Sequence, residues 1–350
     1  MPVYNVKAYL EKAVKSVMAQ SLVDFELYLV DDGSTDGSGE LCDELKRTDD
    51  RIIVIHQKNA GAPSARNAAL KLARGKYVCF FDSDDYIEKD MLKDLYDVAE
   101  KYQSELVISG FYINTYYDDE NFIKLDYVPW MRDDKDIDNF DNSVDFRKYA
   151  YLNFDKNMFY SPWNKLYKLS YIRDKNIFFP ITYRDDFPFV LYMIRDIEKV
   201  TYVKKQYYNF IRKRTESETQ KYVANLYDKR EEEHKNMVEL FTYWGLIDDE
   251  KSFEMIARRY IDRVIECMVN LFNLECTLTK KEKIDTISQY LHNENFDKCI
   301  KIAKPKKFYL KLMYIPLKLK NNILCYIMSN FIHNQRKNNI KLFSVLKTNR

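Results

Sequence analysis

Val6, Tyr9, Leu10, Ala13, Val14, Val17 and Met18 recur at helical spacing, and Phe25 to Val30 then form a short, largely apolar run that ends in two aspartates. The pattern predicts a helix followed by a strand. After a turn and a further helix, Ile52 to Ile55 reads as a second strand, Pro63 to Leu72 as a helix, Tyr77 to Phe81 as a third strand and Met91 to Ala99 as another helix. Strands alternating with helices at this pitch predict an α/β fold, a mostly parallel sheet with helices on both faces. Such a sheet commonly opens with a strand, yet Met1-Pro2-Val3-Tyr4 leave no residues for one before the first helix. Either the start is truncated or the sheet edge is built differently. From about Tyr116 the sequence turns acidic and aromatic, which reads as a long surface excursion. Helical spacing returns after Val223, clearest in Ile256, Tyr260, Val264, Met268 and Leu271, and predicts an α-helical last third.

Charge changes this picture at one end. The whole chain is +2, but no Asp or Glu follows Asp297, while 13 Lys and Arg lie between Lys298 and Arg350, leaving the first 297 residues at −11. A basic segment interleaved with aromatic and aliphatic residues suits an anionic membrane surface better than nucleic acid, and no nucleic-acid partner is expected. Its apolar stretches, Phe308 to Leu317 and Ile323 to Ile327, fall short of the roughly 18 to 20 residues that span a bilayer. A solvated helical face packed on the rest of the protein would show the same composition. The six cysteines are dispersed without a CxxC pair, which fits reduced thiols and a cytoplasmic protein, at most peripheral on the inner face of the cell membrane.

Six of the seven glycines lie within the first 110 residues, where three polar clusters also fall. Asp31-Asp32-Gly33-Ser34-Thr35-Asp36-Gly37 follows an apolar strand and leads into a helix, the place where open α/β sheets bind ligands, although an ordinary strand-to-helix turn uses the same residues. Asp82-Ser83-Asp84-Asp85 follows another apolar run. Carboxylates crowded at a strand end repel one another unless a cation or basic side chain neutralises them, and Mg²⁺ or Mn²⁺ does so through carboxylate oxygens, commonly bridging to substrate phosphates. A solvated acidic loop is the plainer alternative. Asn59 to Asn67 is a glycine turn entering a helix, where Arg66 has three readings: it orients the carboxylates, pairs with a phosphate, or is an ordinary surface arginine.

The order Pro2-Val3-Tyr4-Asn5, Asp31 to Asp36, Ala65-Arg66-Asn67, Gly75-Lys76-Tyr77 and Asp82-Ser83-Asp84-Asp85 closely resembles family 2 glycosyltransferases with the GT-A fold, over residues 1 to about 115. The resemblance implies that Tyr4, beside Pro2, stacks on the nucleobase and that Asp32 accepts from its NH. It further implies that Asp82 and Ser83 with Asp84 bind the diphosphate through Mn²⁺ or Mg²⁺, with Asp85 as a reserve ligand. Trp163-Asn164-Lys165-Leu166-Tyr167, Phe179-Pro180 and Tyr183-Arg184-Asp185-Asp186 look like the acceptor-side half of bacterial members, which usually carry Glu-Asp where this chain has Arg184-Asp185. By that resemblance Asp185 is the general base, with Asp186 in reserve. Both also suit a helix N-terminus. Tyr207 to Arg212 resembles the strand and segment that close over donor phosphates, making Arg212 a candidate clamp, with an exposed edge strand as the alternative.

The division expected is a GT-A catalytic domain over 1–215 (nucleotide-sugar half 1–115, acceptor half 116–215), an α-helical region over 216–297 and a basic, aromatic tail over 298–350. The function the resemblance implies is inverting transfer from a nucleotide-diphosphate sugar, by family habit UDP-linked, to a saccharide, lipid-linked acceptor or glycopolymer hydroxyl in envelope polysaccharide synthesis. The alternative is a catalytically silent GT-A-like subunit that binds a partner glycosyltransferase or a glycan, prompted by the missing first strand and by Arg184. A dinucleotide-dependent oxidoreductase is disfavoured because no GxGxxG follows a strand.

Overall fold

The computed structural model describes residues 1–116, 122–182, 185–213, 222–306 and 308–338. The chain forms two compact units, Met1–Thr215 and Glu216–Arg350. The first contains β1 (Pro2–Val3), α1 (Lys7–Met18), β2 (Leu27–Asp31), α2 (Ser38–Lys46), β3 (Ile52–His56), α3 (Ala62–Leu72), β4 (Tyr77–Val78), β5 (Tyr86–Ile87), α4 (Met91–Tyr102), β6 (Leu106–Tyr116), β7 (Phe122–Tyr127), β8 (Ile137–Phe140), α5 (Ser143–Asp155), β9 (Lys165–Lys168), α6 (Leu169–Asp174), α7 (Asp186–Arg195) and β10 (Val200–Lys213). The predicted α/β alternation is therefore present, with strands arranged in two sheets.

The smaller sheet is parallel, in the order β1-β2-β3. Its first strand corrects the expectation that none precedes α1: Pro2 pairs with Val30 and Val3 with Asp31, and the Asp32 N–H donates to the Val3 carbonyl at 2.8 Å. Two residues suffice because β2 is buried along its whole length and supplies the complementary ladder. The larger sheet runs β4-β9-β6-β10-β5, with β7 added to β6 and β8 to β10. Only β6 and β10 are parallel in it, so the parallel character read from the sequence is confined to the small sheet and this one pair.

Three further expectations change. The apolar run Tyr77 to Phe81 is a strand only at Tyr77–Val78. Phe80 leaves the ladder to pack edge-on against Tyr167, Phe179 and Phe189, so its apolarity reflects core burial rather than strand pairing. The excursion after Tyr116 contains two paired strands, β7 and β8, whose polar and aromatic residues hid a half-exposed sheet face. Tyr207 to Arg212 is not an edge strand. It lies in β10, paired with β6 on one side and with β5 at Tyr208 and Asn209 on the other, while β8 pairs the earlier residues Val200 to Val203, and Tyr207, Tyr208 and Asn209 are buried.

The second unit is helical: α8 (Leu226–Tyr243), α9 (Glu250–Asn270), α10 (Lys280–Leu291), α11 (Glu294–Ile302), α12 (Phe308–Lys318) and α13 (Asn322–Asn338). The predicted stripe Ile256, Tyr260, Val264, Met268 and Leu271 is buried along and just past α9. Local sequence fixes the ends. Asp249 caps α9 through the Ser252 N–H, and Thr279 with Glu282 forms a capping box at the start of α10. Residues of the basic segment join the same core, including Leu310, Met313, Tyr314, Leu317, Cys325 and Ile332. Among the described residues no helix is long and apolar enough to cross a membrane.

Candidate active site

The first wall of the site is the loop after β2. Asp31 stays at the strand end, where its Oδ1 accepts from the Ser34 N–H at 3.0 Å and its Oδ2 lies 2.9 Å from His56 Nδ1. Burial works against the charged form, but these hydrogen bonds outweigh it and hold the carboxyl below the usual range. The loop is clamped to the start of α1. Asn5 Oδ1 accepts from Thr35 N–H at 2.8 Å, Ser38 Oγ from Val6 N–H at 3.0 Å and Asp36 Oδ2 from Lys7 N–H at 3.0 Å. Gly39 is dictated by close approach, since a Cβ there would lie 2.8 Å from Asp31 Oδ2. Pro2 lies in β1, and Tyr4, two residues on, is 50% exposed.

Asp32 is buried, and both its oxygens point into the next connection. Oδ1 accepts from Gln57 Nε2 at 2.7 Å and from Ala60 N–H at 2.9 Å, and Oδ2 from Gly61 N–H at 2.8 Å. The carboxylate thus fixes the turn that launches α3, where Gly61 has φ +88 and Pro63 occupies the first helical turn. One turn further on sits Arg66.

Arg66 is 5% exposed, which excludes the surface reading. Its Nη2 donates to Asp82 Oδ1 at 2.8 Å, and its Nη1 to both Asp185 Oδ2 at 2.9 Å and Asp186 Oδ1 at 2.8 Å. The guanidinium lies 5.2 Å from the Phe179 ring centre, and its Nε is buried without a hydrogen-bond partner. The neighbouring Asn67 makes a two-way bond with Phe179, donating to its carbonyl at 2.8 Å and accepting from its N–H at 2.9 Å. Adjacent residues of α3 therefore tie Asp82 and the chain entering α7 to one helix.

The second wall is the turn after Phe81. Tyr208 of β10 donates its hydroxyl to Asp85 Oδ2 at 2.7 Å and accepts from the Asp82 N–H at 3.1 Å, while the Ile211 N–H donates to Asp85 Oδ1 at 2.6 Å. Both oxygens of Asp85 are thus engaged inside the protein, and Ser83 is buried beside it. Asp84 is exposed. Arg212 follows Ile211 on β10, its guanidinium 5.7 Å from the Phe210 ring centre. Asp185 occupies the position before α7 without a side-chain capping bond, and Asp186 is the first residue of the helix. Arg184 lies outside the described residues.

One guanidinium faces three carboxylates here, and Asp84 and Asp85 add to the negative excess. Desolvation, opposed by Arg66 and reinforced by Asp82 and Asp185, raises Asp186 to about 7. Asp185 is also raised, by burial first and against the pull of Arg66. Although Asp84 is exposed by surface area, the protein around it still depletes its hydration, and that loss, with repulsion from Asp82, raises it to about 6. Asp85 is pushed well above the usual carboxylate range by burial, then by Asp84 and Asp82. This donor set of hard oxygens with too little positive charge fits a divalent cation chemically. Among the described residues, however, no three metal-ligating side chains converge on one point, so substrate oxygens or water would complete the shell of an ion on Asp82 and Asp84.

The sequence reading assigned no role to four residues of this arrangement. Tyr208 and Trp163, stacked at 4.2 Å, brace the acidic turn, and Gln57 holds Asp32. Lys165 is fully buried, donating to Ser161 O and Asn164 Oδ1 at 2.6 Å each. Burial drives its amine well below the usual lysine value, against the pull of Asp186. Trp163-Asn164-Lys165 and Tyr207-Tyr208 stood out as motifs, but a buried hydroxyl reaching from β10 to Asp85 leaves no mark on sequence spacing.

A small parallel sheet, a larger mixed sheet and an acidic strand-end turn facing a helix-start carboxylate pair form the GT-A arrangement. The family described as Glycosyl transferase family 2 matches residues 1–174. The uncharacterized glycosyltransferase EpsJ of Bacillus subtilis (strain 168) is 30% identical over 249 residues, 70% of this chain and 70% of EpsJ. The putative teichuronic acid biosynthesis glycosyltransferase TuaG of the same organism is 45% identical over 93 residues, 26% of this chain and 37% of TuaG. The crystal structure of S. aureus TarS 1–349 in complex with UDP-GlcNAc superposes with a TM-score of 0.62 at 21% identity, covering 95% of this chain and 90% of that one. The chain belongs to glycosyl transferase family 2.

Proposed function

We propose that this chain is an inverting, metal-dependent glycosyltransferase that moves a sugar from a UDP-linked donor to a saccharide or lipid-linked hydroxyl in envelope polysaccharide synthesis. The observation that carries the reading is Arg66, which holds Asp82 on the donor side and Asp185 with Asp186 on the acceptor side through three bonds of 2.8 to 2.9 Å. The teichuronic acid role named for TuaG supports the envelope assignment, and the UDP-GlcNAc bound to TarS supports the donor class.

In this reading Tyr4 stacks on the base at the mouth of the β2 loop. Asp32 acts chiefly by fixing the Gln57 to Gly61 turn, with its remaining acceptor capacity directed to the base NH. Asp82 and Ser83 line the diphosphate. When bound, Mn²⁺ or Mg²⁺ on Asp84 and Asp82 supplies positive charge beside the diphosphate. Asp185, its carboxyl raised above the usual range by burial, takes the proton of the acceptor hydroxyl through the oxygen that Arg66 does not bind. The acceptor oxygen forms a bond to the anomeric carbon as the carbon–oxygen bond to the diphosphate breaks, its electron pair leaving with UDP, so configuration inverts. Arg212 serves as the candidate clamp on the departing phosphates.

The silent-subunit alternative loses one of its two prompts, because β1 is present. The test is UDP release from a panel of UDP-sugars with Mn²⁺ and a saccharide acceptor. Release that falls at least about a hundredfold in Asp185→Asn supports the enzyme reading, in line with general-base contributions. No release above background from any donor refutes it.

A further inference from the structure

We propose that α12 and α13 form a docking surface for an anionic lipid bilayer. Each helix is seated in the second unit by one face. Leu310, Met313, Tyr314 and Leu317 are buried on α12, and Cys325, Ser329 and Ile332 on α13. The other side is not polar, as a solvated face would be. Leu312, Ile315 and Leu319, then Ile323, Ile327 and Phe331, are each between 48% and 71% exposed. Spacing of three or four residues places Leu312 and Ile315 on one side of α12 and Ile323, Ile327 and Phe331 on one stripe of α13, with Leu319 in the turn between the two helices.

The charge around these stripes identifies the occupant. Lys311 and Lys318 are exposed among the apolar residues of α12, and no carboxylate occurs in the sequence beyond Asp297, against 13 Lys and Arg. Apolar side chains edged by lysines suit the boundary between acyl chains and anionic headgroups, where burial of the stripe and attraction of the ammonium groups act together. A second copy of the chain fits less well, because a two-fold contact through this face would bring the lysines of both copies into one interface to which neither helix brings a carboxylate. Neither helix is long and apolar enough to cross the membrane, so the contact is peripheral. This inference does not depend on the catalytic reading.

The test is co-sedimentation of the full chain with phosphatidylglycerol vesicles and with phosphatidylcholine vesicles, at low and high salt. The variants are the surface triple Ile315→Glu, Ile327→Glu, Phe331→Glu and the charge pair Lys311→Glu, Lys318→Glu, with circular dichroism to show that each is folded. Binding to phosphatidylglycerol alone, weakened by salt and lowered about tenfold or more in each variant, is the expected result. UDP release without vesicles should stay within about twofold of the parent, since the substitutions lie outside the site, which keeps failure here distinct from failure of the enzyme reading. Wild-type protein left in the supernatant with phosphatidylglycerol, or a triple variant that binds as well as the parent, overturns the proposal. So does a lipid-free dimer, seen by sedimentation velocity, that the triple variant breaks.

Discussion

Arg66 Nη1 donates to Asp185 Oδ2 at 2.9 Å across 119 positions of sequence, while the other terminal nitrogen holds Asp82 at 2.8 Å. One buried fork thereby sets the distance between the Asp82 turn and the start of α7, the two parts to which the proposed function assigns the donor and the base. Removing it leaves three carboxylates facing one another. Arg66→Met should lose about 3 to 5 kcal/mol of stability at neutral pH, the cost expected when one partner of a buried ion cluster is deleted. Urea unfolding at pH 8 and pH 5 checks this, with a smaller loss at pH 5, where the raised Asp186 is protonated.

The raised carboxyls give a signed pH dependence. Asp186, at about 7, and Asp84, at about 6, bind protons in the folded state at pH values where the unfolded chain, near 3.8, has released them. Their contribution to stability is therefore full below about pH 4 and is lost as pH rises through about 6 to 7. Asp31, held low, acts oppositely, its contribution lost as pH falls below the unfolded value. Asp186→Asn should flatten the slope of unfolding free energy between pH 4 and 7, and an unchanged slope would assign that slope to other groups.

Activity follows the same groups in the other direction. As the proposed base, Asp185 must be unprotonated, and its carboxyl is raised, so kcat/KM should climb with pH through a limb above the ordinary aspartate range. Lowering the positive charge at Arg66 removes the main opposing influence on both carboxylates. Arg66→Gln should move that limb to higher pH.

Tyr208→Phe keeps the ring stacked on Trp163 but removes the hydroxyl shared by Asp85 and the Asp82 N–H. A buried polar group left without its partner costs about 1 to 3 kcal/mol. Thermal denaturation should show that loss, and in the proposed function donor binding should weaken because the turn carrying Asp82 to Asp85 keeps only the Ile211 N–H as its bond to β10.

The sequence made the strand-end acidic turns legible because their chemistry is local: each follows an apolar run, and like charges in series call for a counterion. The helix starts at Pro63 and Asp185 were legible for the same reason. What stayed hidden is long-range. Nothing in the spacing of Arg66 says that it reaches Asp185, and the strand at Pro2–Val3 is too short for any periodicity to register. The central position of β10 was equally invisible, since its aromatic residues suit an edge or an interior strand until β5, β6 and β8 are seen around it.

The central claim, that Asp82 and Asp84 bind a UDP-sugar with a divalent cation, is tested most directly by thermal shift. UDP-sugars are screened with and without Mn²⁺ on the parent and on Asp84→Ala. The expected result is stabilisation by at least one donor that requires Mn²⁺ and disappears in the variant. Equal stabilisation without the metal, or in Asp84→Ala, would contradict it.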